Sequence, residues 1–127
     1  MVYGIDNIKH QDVIALLKKF KVNHMFNSLR NGLDTNVGKN GEKVSGGQRQ
    51  IIFLIRCILR NNKIIILDEP TSALDTHSRE YIFNIVKELI KDKTFIVITH
   101  DLELLKIVHR VLEFKNGKII KDTRNNL

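Results

Sequence analysis

The chain has 127 residues, 43% of them hydrophobic, 6% aromatic and 28% charged, with a formal net charge of +7. That length makes one small domain able to bury roughly two-thirds of its unfolded surface, and the charge favours an acidic partner such as a nucleotide, a nucleic acid or an anionic membrane surface. The lysines and arginines are scattered and the aromatics few, which argues for a solvated basic surface over a nucleic-acid platform, and no apolar run approaches the ~20 residues that span a bilayer. Cys57 is the only cysteine, so the chain cannot close a disulfide on itself, and the expected location is reducing and intracellular. Met1 is followed by neither a charged n-region nor an apolar h-region.

From Asn7 to Asn27, Ile8, Val13, Ile14, Leu16, Leu17, Phe20, Val22, Met25 and Phe26 recur at roughly helical spacing. They predict one helix of about three turns and a shorter one on a common apolar face. Leu29 to Lys43 is rich in Gly, Asn and Asp and reads as a loop. Gly38-Lys39 within it is not a phosphate loop, which needs GxxxxGK followed by Ser or Thr. Leu33 stands where the first glycine belongs, Asn40 replaces the hydroxyl, and no apolar strand precedes the segment. Gly117-Lys118 fails too, because Asn116-Gly117 between VLEF and KII reads as a hairpin turn.

Ser45 to Arg60 is the strongest helix, with Ser45 and Gln48 spaced as a capping box and Ile51, Leu54, Ile55, Ile58 and Leu59 as the apolar stripe. Lys63 to Leu67 predicts a strand covered on both faces of a parallel sheet. Pro70 to Asp75 turns the chain, and Ile82, Ile85, Val86 and Leu89 mark the next helix. TFIVI, Thr94 to Ile98, predicts a second buried strand, followed by Thr99-His100-Asp101 and a helix through about Val108. Arg110 to Phe114 and Lys118 to Lys121 close the chain as a hairpin. Strand, helix, strand, helix implies an α/β fold with a right-handed crossover.

Ligands of open α/β sheets collect beyond the carboxyl ends of the strands, where this sequence puts Asp68, Glu69 and His100. Asp68 could hold magnesium through a coordinated water, since that cation keeps several waters and takes few protein carboxylates. Glu69 could orient or deprotonate a water attacking a γ-phosphate; a polar turn after a strand is the plainer account of Asp68-Glu69-Pro70. Gly46 and Gly47 at a helix start allow close approach of a phosphate, and Ser45 can add a hydroxyl. An ordinary capped helix start explains Ser45 and Gln48 equally well. His100 could donate to a phosphate oxygen, although a histidine after an apolar strand is more often structural. Asp75 has a sufficient role as a helix N-cap. His10, His24, His77 and His109 show no metal-ligand spacing with one another or with Cys57.

Taken together, VSGGQRQ (Val44 to Gln50), IIILDEPTSALD (Ile64 to Asp75) and His100 resemble the signature motif, the Walker B motif with its D-loop, and the switch histidine of ATP-binding cassette (ABC) ATPases. The similarity runs from about Val2 to Asp122. Thr35, Val37, Gly38 and Gly41 fit the TxVGxxG segment of the exporter branch, which contacts a membrane domain's coupling helices, whereas DEP and THD resemble importer cassettes. The resemblance implies a partial P-loop NTPase fold, with a helical signature subdomain over about residues 5–60 and a parallel-strand core over about 63–122 that ends in a C-terminal hairpin.

It also implies ATP and Mg2+ as cofactors, a second ABC ATPase domain paired head to tail, a transmembrane transporter domain, and a cytoplasmic location at the membrane. Ser45, Gly46, Gly47 and Gln48 would face a partner's nucleotide, Asp75 would act across the dimer, and Asp68, Glu69 and His100 would face the chain's own. The Walker A lysine, the adenine-stacking aromatic and the Q-loop glutamine of the family lie upstream of the matched region. Val2-Tyr3-Gly4 resembles the segment just after the Q-loop. The expectation is therefore the signature-to-C-terminus part of an exporter-like cassette, active in ATP hydrolysis when completed, weak or inactive alone, and with an unpaired edge on the strand ending at His100. The alternatives are a non-catalytic subunit that donates its signature to a partner, and a nucleic-acid-directed ATPase of the same family. A coiled coil is missing for the latter, and no nucleic-acid partner is expected.

Overall fold

The computed structural model describes residues 8–72 and 74–126, so Val2, Tyr3 and Gly4 fall outside the described residues. Helix α1 (His10–Lys19) buries Val13 and Leu17, one turn apart, and keeps Lys18 and Lys19 in its last turn, where they complement the helix dipole. Helix α2 (His24–Asn27) follows and buries Phe26. Residues 29–43 carry no long helix or strand, only two 3-10 turns at Gly32–Asp34 and Lys39–Gly41. Gly38, Asn40 and Gly41 all adopt positive φ here, a backbone that glycine and asparagine tolerate best.

Helix α3 (Gly46–Leu59) begins at the predicted capping box: the Gln48 amide donates to Ser45 Oγ at 3.1 Å and the Ser45 amide to Gln48 Oε1 at 2.8 Å. Ile51, Leu54 and Ile55 of the expected stripe are buried, Ile58 and Leu59 are partly buried, and Cys57 joins the core. Strand β1 (Ile64–Asp68), helix α4 (Thr76–Leu89), strand β2 (Thr94–Ile98) and helix α5 (Leu102–Ile107) follow in order. β1 and β2 pair in parallel, Ile64 opposite Thr94 through Asp68 opposite Ile98, so α4 is the crossover. Strands β3 (Arg110–Lys115) and β4 (Lys118–Arg124) form the antiparallel hairpin. Its two-residue loop has positive φ at both Asn116 and Gly117, the backbone of the tight hairpin turns that match strand twist.

One core runs from Val13 and Leu17 through Ile51, Leu54 and Ile55 to Ile65, Leu67, Ile82 and Leu104. Strand burial departs from the expectation of two covered faces. Ile65 and Leu67 are buried, but Ile64, Ile66, Ile96 and Ile98 are 58%, 59%, 49% and 55% exposed. Alternate side chains of a strand point to opposite faces, and among the described residues the core lies on one face of the two-stranded sheet, so every second residue of each strand is uncovered. β2 pairs only with β1, which leaves its other edge open among the described residues, as expected.

Helices α3 and α4 approach closely at their N-termini, where Gly47 is buried. A β-carbon on Gly47 would meet the Ser78 hydroxyl and lie 2.7 Å from Ser78 Cβ. Alanine would gain up to ~1 kcal/mol of helix propensity, but overpacking against a buried neighbour costs ~1–3 kcal/mol. Gly47→Ala is therefore expected to be destabilising by about 1–2 kcal/mol in urea unfolding; an unchanged or higher midpoint would mean that α3 can shift without cost.

Candidate functional site

β1 and β2 end side by side, and the pairing continues one hydrogen bond past them: the Glu69 amide donates to the Ile98 carbonyl at 2.8 Å. Asp68 is the last residue of β1 and is exposed. By strand alternation it shares a face with Ile64 and Ile66, the face the core leaves uncovered. Glu69 leaves the strand with φ of +45°, a conformation that L-residues other than Asn, Asp and Gly rarely adopt. The turn holds it there: the Ser72 amide and hydroxyl both donate to the Glu69 carbonyl, at 3.1 and 2.9 Å.

This backbone brings two of the sequence-predicted residues together. His100 Nδ1 lies 3.0 Å from Glu69 Oε1. A carboxylate only accepts, so Nδ1 carries the proton in this contact. For Nε2 also to donate to an anion, the ring must then hold both protons. The His100 side chain is 83% exposed, and exposed ion pairs contribute only ~0–1 kcal/mol, so the contact does not order the site by itself. The second carboxylate oxygen, Glu69 Oε2, is buried and has no hydrogen-bond partner among the described residues. An unpartnered buried carboxylate oxygen is costly, and with no surface open to solvent it can accept from a water only once the Glu69 side chain turns.

The donor set fits a magnesium ion in one respect. Asp68 offers an exposed carboxylate beside the orphaned oxygen-bearing Glu69, and no group of three or more His, Cys, Asp or Glu able to hold a metal occurs among the described residues. A hard cation there would take most of its ligands from water or phosphate, as magnesium does.

The residues that resemble a signature motif, Ser45 to Gln48, sit at the start of α3. Ser45 and Gly46 are exposed, whereas Gly47 is buried against α4. A β-carbon on Gly46 would meet only Leu74 at an ordinary 3.6 Å, so packing does not demand the first glycine as it does the second. Gln48 is engaged in the capping box, and its Nε2 donates to the Met25 carbonyl at 2.5 Å, tying α3 to α2. Asp75 caps α4, accepting from the Ser78 amide at 2.9 Å and the Ser78 hydroxyl at 2.7 Å. Because Ser78 also packs on Gly47, Asp75, Ser78 and the start of α3 form one connected group.

Three residues to which the sequence reading gave no part in the site complete the arrangement. Arg49 donates to the Gly41 carbonyl at 3.2 Å, pinning the glycine-rich loop to α3. Thr71, 3% exposed, donates its hydroxyl to Asp101 Oδ2 at 2.8 Å, while Asp101 Oδ1 caps α5 by accepting from the Glu103 amide at 3.0 Å. The available signal was weak: an Asp before an apolar helical run suggests a cap, but nothing in the sequence names its second partner.

The Ser78 amide and hydroxyl hold Asp75 below the usual carboxylate range. Partial burial pushes Asp101 up, but the Thr71 hydroxyl, the Glu103 amide and the nearby Arg79 guanidinium outweigh it and hold Asp101 low as well. Both carboxyls are therefore more acidic folded than unfolded, so the unfolded chain takes up protons first as pH falls below its ordinary value of about 3.9. Their stabilisation is present above that value and is lost as pH falls through the lower folded values. Thermal unfolding scans between pH 6 and pH 2.5 should show Tm dropping below about pH 4, with a smaller drop in Asp75→Asn; equal acid sensitivity in that variant would remove Asp75 from the account.

The sequence profile described as ABC transporter matches residues 5–72. An ATP-dependent lipid A-core flippase of Legionella pneumophila (strain Paris) is 36% identical over 121 residues, which is 95% of this chain and 21% of the relative. A flippase of the same name from Mannheimia succiniciproducens is 40% identical over 114 residues, 90% of this chain and 20% of the relative. The fold is similar to the structure of a bacterial Atm1-family ABC exporter with ATP bound, with a TM-score of 0.80 and 29% identity over 97% of this chain and 22% of that one. The chain thus spans about a fifth of the length of these relatives. With more than half of its residues matched by the profile and an exporter fold reproduced along its length, the chain belongs to the ABC transporter family, as an exporter-like part of the ATPase domain.

Proposed function

We propose that this chain supplies the signature, Walker B, D-loop and switch-histidine part of an ATP-hydrolysing cassette that drives transport through a membrane domain. The observation that carries the reading is Glu69 and His100 in contact at 3.0 Å beyond the adjacent ends of two parallel strands. The expected division, a helical signature part over about 5–60 and a core part over about 63–122, belongs to the same proposal. The relatives named flippases and the exporter-like fold favour export as the direction.

In this reading Asp68 holds Mg2+ through water, and the ion, when bound, neutralises phosphate charge. Glu69 orients or accepts a proton from the attacking water, and its Oε1 keeps His100 oriented and stabilises the ring when it carries both protons. His100 Nε2 then donates to a phosphate oxygen. Ser45 and Gly46, both exposed, face the nucleotide of a second ATPase domain, with Asp75 supporting that surface through Ser78.

The uncovered isoleucine face and the open edge of β2 support a further segment, on this or another chain, as the part that packs there. The 127 residues contain no GxxxxGK[ST], so nothing in them cradles β- and γ-phosphates. The assembly lies at the cytoplasmic side of a membrane through the transporter domain; among the described residues no helix is long and apolar enough to cross it.

The purified chain alone is expected to show negligible ATP turnover. Completed by a segment carrying GxxxxGK[ST], it should hydrolyse ATP in a magnesium-dependent reaction that Glu69→Gln slows by about 10²–10⁴-fold. Magnesium-dependent turnover by the chain alone, lost in Glu69→Gln, would contradict the first half, and full activity of Glu69→Gln in the completed domain would contradict the second.

A second reading is favoured by one observation, the exposure of Ser45 and Gly46 at a helix start in a sequence without its own phosphate loop. There the chain donates its signature to a complete partner and catalyses nothing itself. ATP-dependent cross-linking of Ser45→Cys to a partner's phosphate loop, with no turnover assignable to Glu69, is the outcome that selects it.

A further inference from the structure

Two loops leave the sheet at its carboxyl end, Glu69 to Ser72 after β1 and Thr99 to Asp101 after β2. Each behaves as a unit. In the first, Ser72 bonds the Glu69 carbonyl through both its amide and its hydroxyl, so Thr71, enclosed between them, moves with Glu69. In the second, Asp101 is fixed on two sides within its own segment: its amide donates to Thr99 Oγ1 at 3.0 Å and its Oδ1 accepts from the Glu103 amide at 3.0 Å. His100 is the one residue between Thr99 and Asp101, so its backbone goes where they go.

Above the backbone bond from Glu69 to Ile98, two side-chain ties join these units. The Glu69–His100 contact is exposed to solvent on the histidine side, and water competes for both partners. The Thr71–Asp101 bond has a donor that is 3% exposed. Thr71 is nearly enclosed, so water competes less for its hydroxyl, and hydroxyl-to-carboxylate bonds belong to the stronger class. A helix cap alone would account for Asp101 Oδ1, but it gives no reason for Oδ2 to reach across to the other loop.

We propose that Thr71 and Asp101 are a positioning pair: their bond holds the loop that carries His100 against the loop that carries Glu69, and so sets the contact between these two side chains. The inference rests on the reading of Glu69 and His100 as the reacting end of the site, but its structural content stands in the chain without nucleotide. Neither Thr71 nor Asp101 is placed on the nucleotide or the attacking water. Removing the Thr71 hydroxyl leaves the cap of α5 intact, which separates positioning from capping.

The test is the ring-nitrogen spectrum of His100 in the 127-residue chain, read by two-bond proton–nitrogen NMR in mildly alkaline buffer without nucleotide. Wild type should show Nδ1 protonated and bonded, and Glu69→Ala supplies the values of an unheld ring. Thr71→Val is expected to lose the bonded Nδ1 signature, moving about half or more of the way to the Glu69→Ala values, while Thr71→Ser, which restores the hydroxyl, stays at wild type. Asp101→Ser, which can still cap α5 but is too short to reach Thr71, should move as Thr71→Val does. An unchanged His100 spectrum in folded Thr71→Val or Asp101→Ser overturns the proposal, and so does unfolding of both, which would assign the pair to stability alone. Because the spectrum needs no ATP, a responsive His100 in a domain that fails the turnover test would sink the functional reading and leave the positioning pair standing.

Discussion

The arrangement depends on one hydrogen bond beyond the sheet, from the Glu69 amide to the Ile98 carbonyl at 2.8 Å. β1 and β2 pair in exact step up to Asp68 opposite Ile98, and this extra bond makes the first residue of the turn belong to the sheet on its amide side. Its carbonyl side belongs to the turn, through Ser72. Glu69 is held between two sets of bonds, on its amide side and on its carbonyl side, and adopts a positive φ there. Such a conformation costs on the order of 1–2 kcal/mol in an L-residue, and it persists because the neighbouring bonds over-determine it. The consequence is an outward turn that points a carboxylate at the end of β2, where His100 follows two residues after the bonded carbonyl.

The second organising contact lies at the N-termini of α3 and α4. Asp75 holds Ser78 through two bonds, Ser78 occupies the space that a side chain on residue 47 would need, and the capping box of Ser45 and Gln48 fixes the first turn of α3 above it. The two adjacent glycines thus do different work. Gly47 lets two helices touch, whereas Gly46 faces outward with room around it. An interior contact and an exposed residue lie side by side in the sequence because the first turn of a helix carries adjacent residues about 100° apart around its axis.

Much of this was legible from the residues because the local signals agreed with the fold. The capping box at Ser45, the Asn116-Gly117 turn, the Asp75 cap and the apolar spacing of Ile82, Ile85, Val86 and Leu89 each specify their element without help from distant chain, and all four recur in the structure. The contact of Glu69 with His100 was legible only as proximity, from two strands ending in polar residues. The parts that escaped are those set by other segments. A wholly apolar run reads as a strand buried on both faces, yet periodicity cannot say whether a covering layer is present, and here Ile64 and Ile66 have none among the described residues. Thr71 escaped for the same reason: a threonine in a turn has many local uses, and its partner, Asp101, is 30 residues away.

That uncovered face sets the energetic scale for the whole site. Burying an isoleucine is worth ~1.5–3 kcal/mol, so four left about half exposed forgo on the order of 3 to 6 kcal/mol, against a typical total stability of about 5–15 kcal/mol for a domain. No single polar contact in the site approaches this. Asp68 lies on the same face as Ile64 and Ile66, two residues beyond the latter, so whatever layer covers the isoleucines also comes to rest beside the carboxylate. Covering the sheet and enclosing the site are therefore a single event: the apolar face supplies the free energy, and the strand alternation that exposes it determines that Asp68 is carried in with it.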